Sequence, residues 1–140
     1  IEYDDNGLKT ITKVCEGDMR KCINLLQSIA MSKKKINNEN VYKYSGEPND
    51  KIFKKLVDYL LKKSLSDSYK YLNNLKNTYN ISLLDILKNI TPYILEKKFN
   101  NSELKNLIID LSSIEYNMAN NGNEDIQICG LISCFSKLKY

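Results

Sequence analysis

Histidine is absent from the 140 residues, arginine occurs once, and proline twice. Each scarcity narrows the chemistry. Without histidine the chain lacks the commonest general base near neutral pH, and the sequence argues for no nucleophile–base pair. The four cysteines, Cys15, Cys22, Cys129 and Cys134, contain no C-x-x-C pair, so their spacing does not suit a zinc site. No apolar run approaches the roughly 20 residues needed to span a bilayer, and no secretory signal pattern opens the chain. The first residue is Ile1 rather than Met, which reads as a fragment or a processed product. The net charge is only +4, with lysines interleaved among acids. That balance does not by itself argue for nucleic-acid binding.

What is present is helical patterning. Hydrophobic residues make up 42% and charged residues 27%, ordinary for a globular protein. Apolar residues recur at i, i+3, i+4 and i+7 along most of the chain, so an all-α protein is expected. A first helix runs from about Asp5 to Glu16, with Leu8, Ile11, Thr12 and Cys15 on one face and Gly17 ending it. A second begins after Asp18, a good N-cap, and carries the stripe Met19, Cys22, Ile23, Leu26, Ile29, Ala30. Cys22 on that stripe reads as a buried free thiol, a weak sign of a reducing, intracellular setting. A short third helix starts near Asn38 with Val41, Tyr42 and Tyr44.

The turn-forming cluster Ser45-Gly46-Glu47-Pro48-Asn49-Asp50 marks the domain boundary. Five helical segments follow. The first carries Ile52, Phe53, Leu56, Val57, Leu60 and Leu61; the second is capped by Ser64 or Ser66 and carries Tyr69, Leu72 and Leu75. Ser82 and Asp85 form a capping-box-like pair at the head of the third, which carries Leu83, Ile86, Leu87, Ile90 and Ile94. Pro92 falls inside that pattern and should kink or shorten the helix. The fourth is capped by Asn101 or Ser102 and carries Leu104, Leu107, Ile108, Leu111, Ile114 and Met118. Asn121-Gly122-Asn123 stops it, with Gly122 suited to a left-handed end. The last carries Ile128, Leu131, Ile132, Phe135 and Leu138.

The single arginine, Arg20, lies in Gly17-Asp18-Met19-Arg20, on the first turn of its helix, with Asn24 and Gln27 continuing a polar strip. A guanidinium can grip phosphate through two parallel hydrogen bonds. The free amides and dipole of a helix N-terminus favour the same anion. Arg20 therefore reads either as a phosphate sensor or as an ordinary surface arginine.

Four stretches, in order, carry a family resemblance. Gly17-Asp18-Met19-Arg20-Lys21-Cys22-Ile23-Asn24-Leu25-Leu26-Gln27-Ser28 resembles the GDMR segment of replication factor C small subunits, the sliding-clamp loader ATPases. Asn40-Val41-Tyr42 followed by Ser45-Gly46-Glu47-Pro48 resembles that family's link between lid and collar. Ile81-Ser82-Leu83-Leu84-Asp85-Ile86-Leu87 resembles its collar helix beginning GLAL-x-DIL, with Ile81-Ser82 replacing the usual Gly-Leu. Ile114-Glu115-Tyr116-Asn117-Met118 with Gly122-Asn123-Glu124-Asp125-Ile126-Gln127 resembles its IEY…G-x-NE-x-IQ segment, the most subunit-specific of the four. Pro92 has no counterpart in the family pattern.

The resemblance implies an all-α C-terminal fragment: residues 1–47 as the C-terminal part of an AAA+ lid domain, and residues 48–140 as a five-helix collar domain for oligomerisation. It implies that the collar joins other replication factor C subunits in a hetero-pentameric ring, which loads the sliding clamp on primer-template DNA in replication and repair, in the nucleus. Arg20 would be the sensor-2 arginine, directed at the γ-phosphate of ATP in the intact subunit. The fragment has no G-x-x-x-x-G-K-[ST] loop and no acidic magnesium box. It is therefore expected to be no enzyme alone and to hold no cofactor or metal, ATP and magnesium belonging to the intact subunit. A helical scaffold or adaptor unrelated to nucleotide is the alternative reading.

Overall fold

The computed structural model describes residues 1–139, and every regular element among them is helical. The helices are α1 (Asp5–Cys15), α2 (Met19–Met31), α3 (Asn38–Ser45), α4 (Asp50–Lys62), α5 (Leu65–Tyr79), α6 (Leu83–Leu95), α7 (Asn101–Ala119) and α8 (Glu124–Ser136), followed by a 3-10 turn at Lys137–Lys139. The chain divides into two compact units, Ile1–Asn49 and the residues from Asp50 onward.

In the first unit α1 and α2 both pack on α3 and on each other. Their core is Ile11, Val14, Cys15, Leu25, Ile29, Ile36, Val41 and Tyr42. The extended segment before α1 pairs with the one before α3: Asp4 donates to the Ile36 carbonyl and Ile36 to the Glu2 carbonyl, at 3.0 and 2.9 Å. Gly7 is required where α1 crosses that pairing, because a Cβ there would run into the Ile36 carbonyl. Asn38 donates across to the Thr10 hydroxyl at 3.0 Å, tying α1 to α3.

The buried faces of α1 and α2 differ from the sequence expectation. On α1 the covered residues are Gly7, Thr10, Ile11, Val14 and Cys15, while Leu8 and Thr12 are exposed. On α2 they are Leu25 and Ile29, with Cys22 and Leu26 half-buried; Met19 is 68% and Ile23 49% exposed. The apolar stripe is wider than the face that α1 and α3 cover, and Cys22 is half-buried rather than buried.

In the second unit α4 packs against α5, α6 and α8, and α7 against α6 and α8. Leu56, Leu60, Leu72, Leu83, Ile86, Ile90, Ile128, Leu131 and Phe135 are fully enclosed in its core. Ser68 is buried as well, and its hydroxyl donates to the Tyr59 carbonyl at 3.1 Å, so burying it leaves no donor unpaired.

Local chemistry sets the helix ends. Ser64, not Ser66, caps α5, its hydroxyl accepting from the Asp67 amide at 3.1 Å. Ser82 and Asp85 form a reciprocal capping box on α6. The N-cap of α7 is Asn100, one residue before the expected Asn101 or Ser102, and its amide donates to Glu103 at 3.1 Å. At the end of α7 the left-handed residue is Asn121 (φ 59°), not Gly122. Gly122 is needed for another reason: a Cβ would lie 2.6 Å from the Asn117 carbonyl oxygen, to which its own amide donates at 2.8 Å. The α6 helix continues through Pro92 to Leu95. Glu96 donates to the Pro92 carbonyl and Lys97 to that of Ile94, closing its end. Ile108, expected in the core, is exposed on the outer side of α7.

Candidate functional site

Glu16 (φ 48°) and Gly17 (φ 89°) reverse the chain between α1 and α2, a geometry that favours glycine. Asp18 then caps α2, its carboxylate accepting from the amides of Arg20 and Lys21 at 2.9 and 3.0 Å. Two basic residues follow the cap, and they are used differently. The Lys21 ammonium donates to the Val14 carbonyl and to Glu47, both at 2.8 Å. That bond to Glu47 raises the Lys21 pKa above its ordinary value, against the opposing effect of burial. Lys21 is thus a strut from α2 to the end of α1 and to the residues after α3.

Arg20 is left exposed, and among the described residues no side chain pairs with its guanidinium. It stands at the rim of a groove of about 440 Å³. Arg20, Asn24 and Ser28 line it from α2, and Tyr44 and Ser45 line it from α3. The polar strip read from the sequence therefore runs through Arg20 and Asn24 but turns to Ser28 instead of Gln27. Tyr44 was expected on the third helix; that it and Ser45 face Arg20 follows only from how α3 packs. The Ser28 and Ser45 hydroxyls donate to the carbonyls of Asn24 and Tyr42 at 2.8 and 3.1 Å. The groove thus offers the free Arg20 guanidinium, an amide side chain and a phenol, while the other charges in its lining, Lys21 and Asp18, are already engaged, with Glu47 and with the α2 amides; this suits recognition of an anion by Arg20. It offers no nucleophile with a base beside it. Among the described residues no group of His, Cys, Asp or Glu could hold a metal ion, and no helix is long and apolar enough to cross a membrane.

The second unit presents apolar side chains outward on α7, where Ile109 is 53% and Tyr116 69% exposed beside Ile108. Tyr69, Tyr71 and Tyr93 are half-buried and cover the core instead, and Tyr59 is half-buried beside Tyr71. The Tyr59 and Tyr71 rings stack with centroids 4.3 Å apart. Burial pushes the Tyr71 phenol up.

Residues 48–134 match the family model described as "Replication factor C C-terminal domain". The chain belongs to the replication factor C family. An origin as a helical adaptor outside that family is thereby set aside. Similar proteins include "Replication factor C subunit 3" of Oryza sativa subsp. japonica, 34% identical over 97% of this chain and 38% of that protein. "Probable replication factor C subunit 5" of Dictyostelium discoideum is 31% identical over 96% of the chain and 40% of its own length. "Replication factor C subunit 5" of Homo sapiens is 30% identical over the same shares. The chain thus spans about two fifths of the length of these replication factor C relatives. Relatives named subunit 5 agree with the subunit-specific resemblance of the IEY and GNEDIQ segments, that of the small subunit called five in the human complex.

Proposed function

We propose that this chain is the lid and collar portion of a DNA sliding-clamp loader subunit. Residues 1–47 form the C-terminal part of an AAA+ lid, and residues 48–140 form the collar. The collar joins other replication factor C subunits in a hetero-pentameric ring that loads the sliding clamp on primer-template DNA, in replication and repair, in the nucleus. Family membership supports this reading, together with the outward Ile108, Ile109 and Tyr116 on α7. Clusters of this kind are suited to burial between subunits.

Arg20 is the sensor-2 arginine of the intact subunit and contacts the γ-phosphate of its bound ATP. The observation that carries this role is the unpaired guanidinium on the first turn of α2 beside a polar groove. These residues fit the phosphate end of a nucleotide, whereas magnesium is held elsewhere in the intact subunit. Arg20 binds and orients the terminal phosphate; Asp18 and Lys21 keep its turn rigid while it does so. A charge-assisted hydrogen bond contributes roughly 1.5–3 kcal/mol, and about 1.4 kcal/mol is tenfold in an equilibrium. Arg20→Ala in the full-length subunit is therefore expected to leave ring assembly intact and to lower ATP-dependent clamp loading about tenfold or more. Unchanged ATP-stimulated loading would remove the sensor role.

A further inference from the structure

We propose that Cys15 and Cys22 form a dithiol that low-molecular-weight disulfides, such as oxidised glutathione, convert to an intramolecular disulfide. The proposal is independent of the clamp-loader reading. Cys15 is the last residue of α1 and is 4% exposed; Cys22 lies on the first turn of α2, half-buried, and packs on the same core cluster. Two backbone hydrogen bonds in series hold their main chains on either side of the cap. Asp18 donates to the Cys15 carbonyl at 2.9 Å, and Cys22 donates to the Asp18 carbonyl at 3.0 Å. Both side chains reach one small core cluster, Cys15 within it and Cys22 packed against it; burial first, and then the neighbouring Cys22, hold the Cys15 thiol above its ordinary pKa. The pair is thus one accessible sulfur backed by one enclosed sulfur.

Their exposure sets the order of events. The Cys22 thiol, reached from solvent, loses its proton and attacks one sulfur of the glutathione disulfide. That S–S bond breaks, a mixed disulfide forms on Cys22, and one glutathione leaves and takes up a proton. Cys15 then loses its proton and attacks the Cys22 sulfur. The mixed bond breaks, the Cys15–Cys22 bond forms, and a second glutathione leaves as thiol. Two protein thiols have lost two protons and two electrons, and the small disulfide has gained both. The closed bond would bracket Asp18 and Arg20, pinning the turn that presents the guanidinium. In a reducing compartment such a bond is transient and reports oxidant exposure.

The other two cysteines serve as references. Cys129 is exposed on α8, and Cys134 is buried there with its thiol pushed up to about 11, chiefly by burial. The test treats the 140-residue chain with oxidised glutathione at pH about 8, where an ordinary thiol is appreciably ionised. An acid quench, alkylation and tryptic mapping without reductant follow. Cleavage after Lys13, Arg20, Lys21 and Lys33 separates the two cysteines. The expected product joins residues 14–20 to residues 22–33, carries no glutathione, and reverts with dithiothreitol. In Cys15→Ser, glutathione should instead persist on Cys22, as it does on Cys129. Wild-type protein in which Cys22 keeps its glutathione while Cys15 is alkylated would overturn the proposal, as would Cys22 left unreacted while Cys129 is modified. The wild-type map decides alone if Cys15→Ser fails to fold.

Discussion

Glu124 shows how one side chain joins three elements. Its carboxylate accepts from Lys76 of α5 at 2.7 Å and from the Leu83 amide at the start of α6 at 2.8 Å, while the residue itself opens α8. The hydrogen bond from Lys76, foremost, lowers the Glu124 pKa, with the Leu83 amide adding to it and burial opposing. A carboxylate whose folded pKa is depressed adds stability above its unfolded value, about 4.3, and loses it as pH falls through the lower folded value. Glu124→Gln should therefore lower the urea midpoint at about pH 7, a loss of stability of at most about 1 kcal/mol because the side chain is 35% exposed. The gap between variant and wild type should close toward about pH 3. A gap independent of pH would mean that packing, not the ion pair, sets the effect. Lys21 obeys the same logic with opposite sign, since its partner Glu47 holds its proton on. Neither pairing was legible in the sequence: Lys76 and Glu124 are far apart along the chain, and only the folded bundle makes them neighbours.

At the scale of the helix, the sequence announces existence and type better than edges and faces. All eight helices follow from apolar periodicity, and Asp18 and Ser82 were readable as caps because short polar side chains there can bond the free amides. Choosing between Ser64 and Ser66 needed the backbone, as did finding Asn100 ahead of Asn101. On α2 the apolar positions form a band too broad to name the covered side. Leu25 was missed and Met19 included because the site where α3 docks is a tertiary fact. Arg20 was legible for a different reason: one guanidinium directly after a cap is local information. The Tyr44 and Ser45 wall of its groove is not local. Pro92 is the element-level conflict, since it has no amide to offer the α6 ladder and yet the helix continues to Leu95. An interior proline is about 3 kcal/mol less favourable than alanine. Its place in the last turn reduces that cost, and its restriction of the unfolded chain offsets about 0.4–1 kcal/mol. Pro92→Ala is accordingly expected to raise stability by roughly 1–2 kcal/mol, read as a higher urea midpoint at unchanged slope. A lower midpoint would mean that restraint of the unfolded chain outweighs the missing hydrogen bond.

Over the whole molecule, the buried residues form two separate cores of unequal size. The Ile1–Asn49 unit encloses one small cluster, with Ile29 and Val41 its fully buried aliphatics. The unit from Asp50 onward encloses a far larger one, in which Phe53, Leu60, Leu72, Ile90, Leu131 and Phe135 meet. Below about 50 residues a chain buries too small a fraction of its surface to be more than marginally stable. Longer helices around more apolar side chains raise the free energy of opening. Native-state hydrogen exchange should therefore find the slowest amides of α1 and α2 opening at lower free energy than those of α4 and α8, by about 1.4 kcal/mol or more, tenfold in rate. Ile29→Ala should widen that difference by about 2–5 kcal/mol, the usual cost of emptying a buried aliphatic site, up to the point where the first unit unfolds. The amides of α4 and α8 serve as the internal standard. Equal protection in both units, and equal loss in Ile29→Ala, would show that the chain opens as a single cooperative unit despite its two cores. Unequal protection would make the unit that holds Arg20 and the Cys15–Cys22 pair the softer one, where local motion lets the enclosed Cys15 sulfur turn onto the mixed disulfide of Cys22.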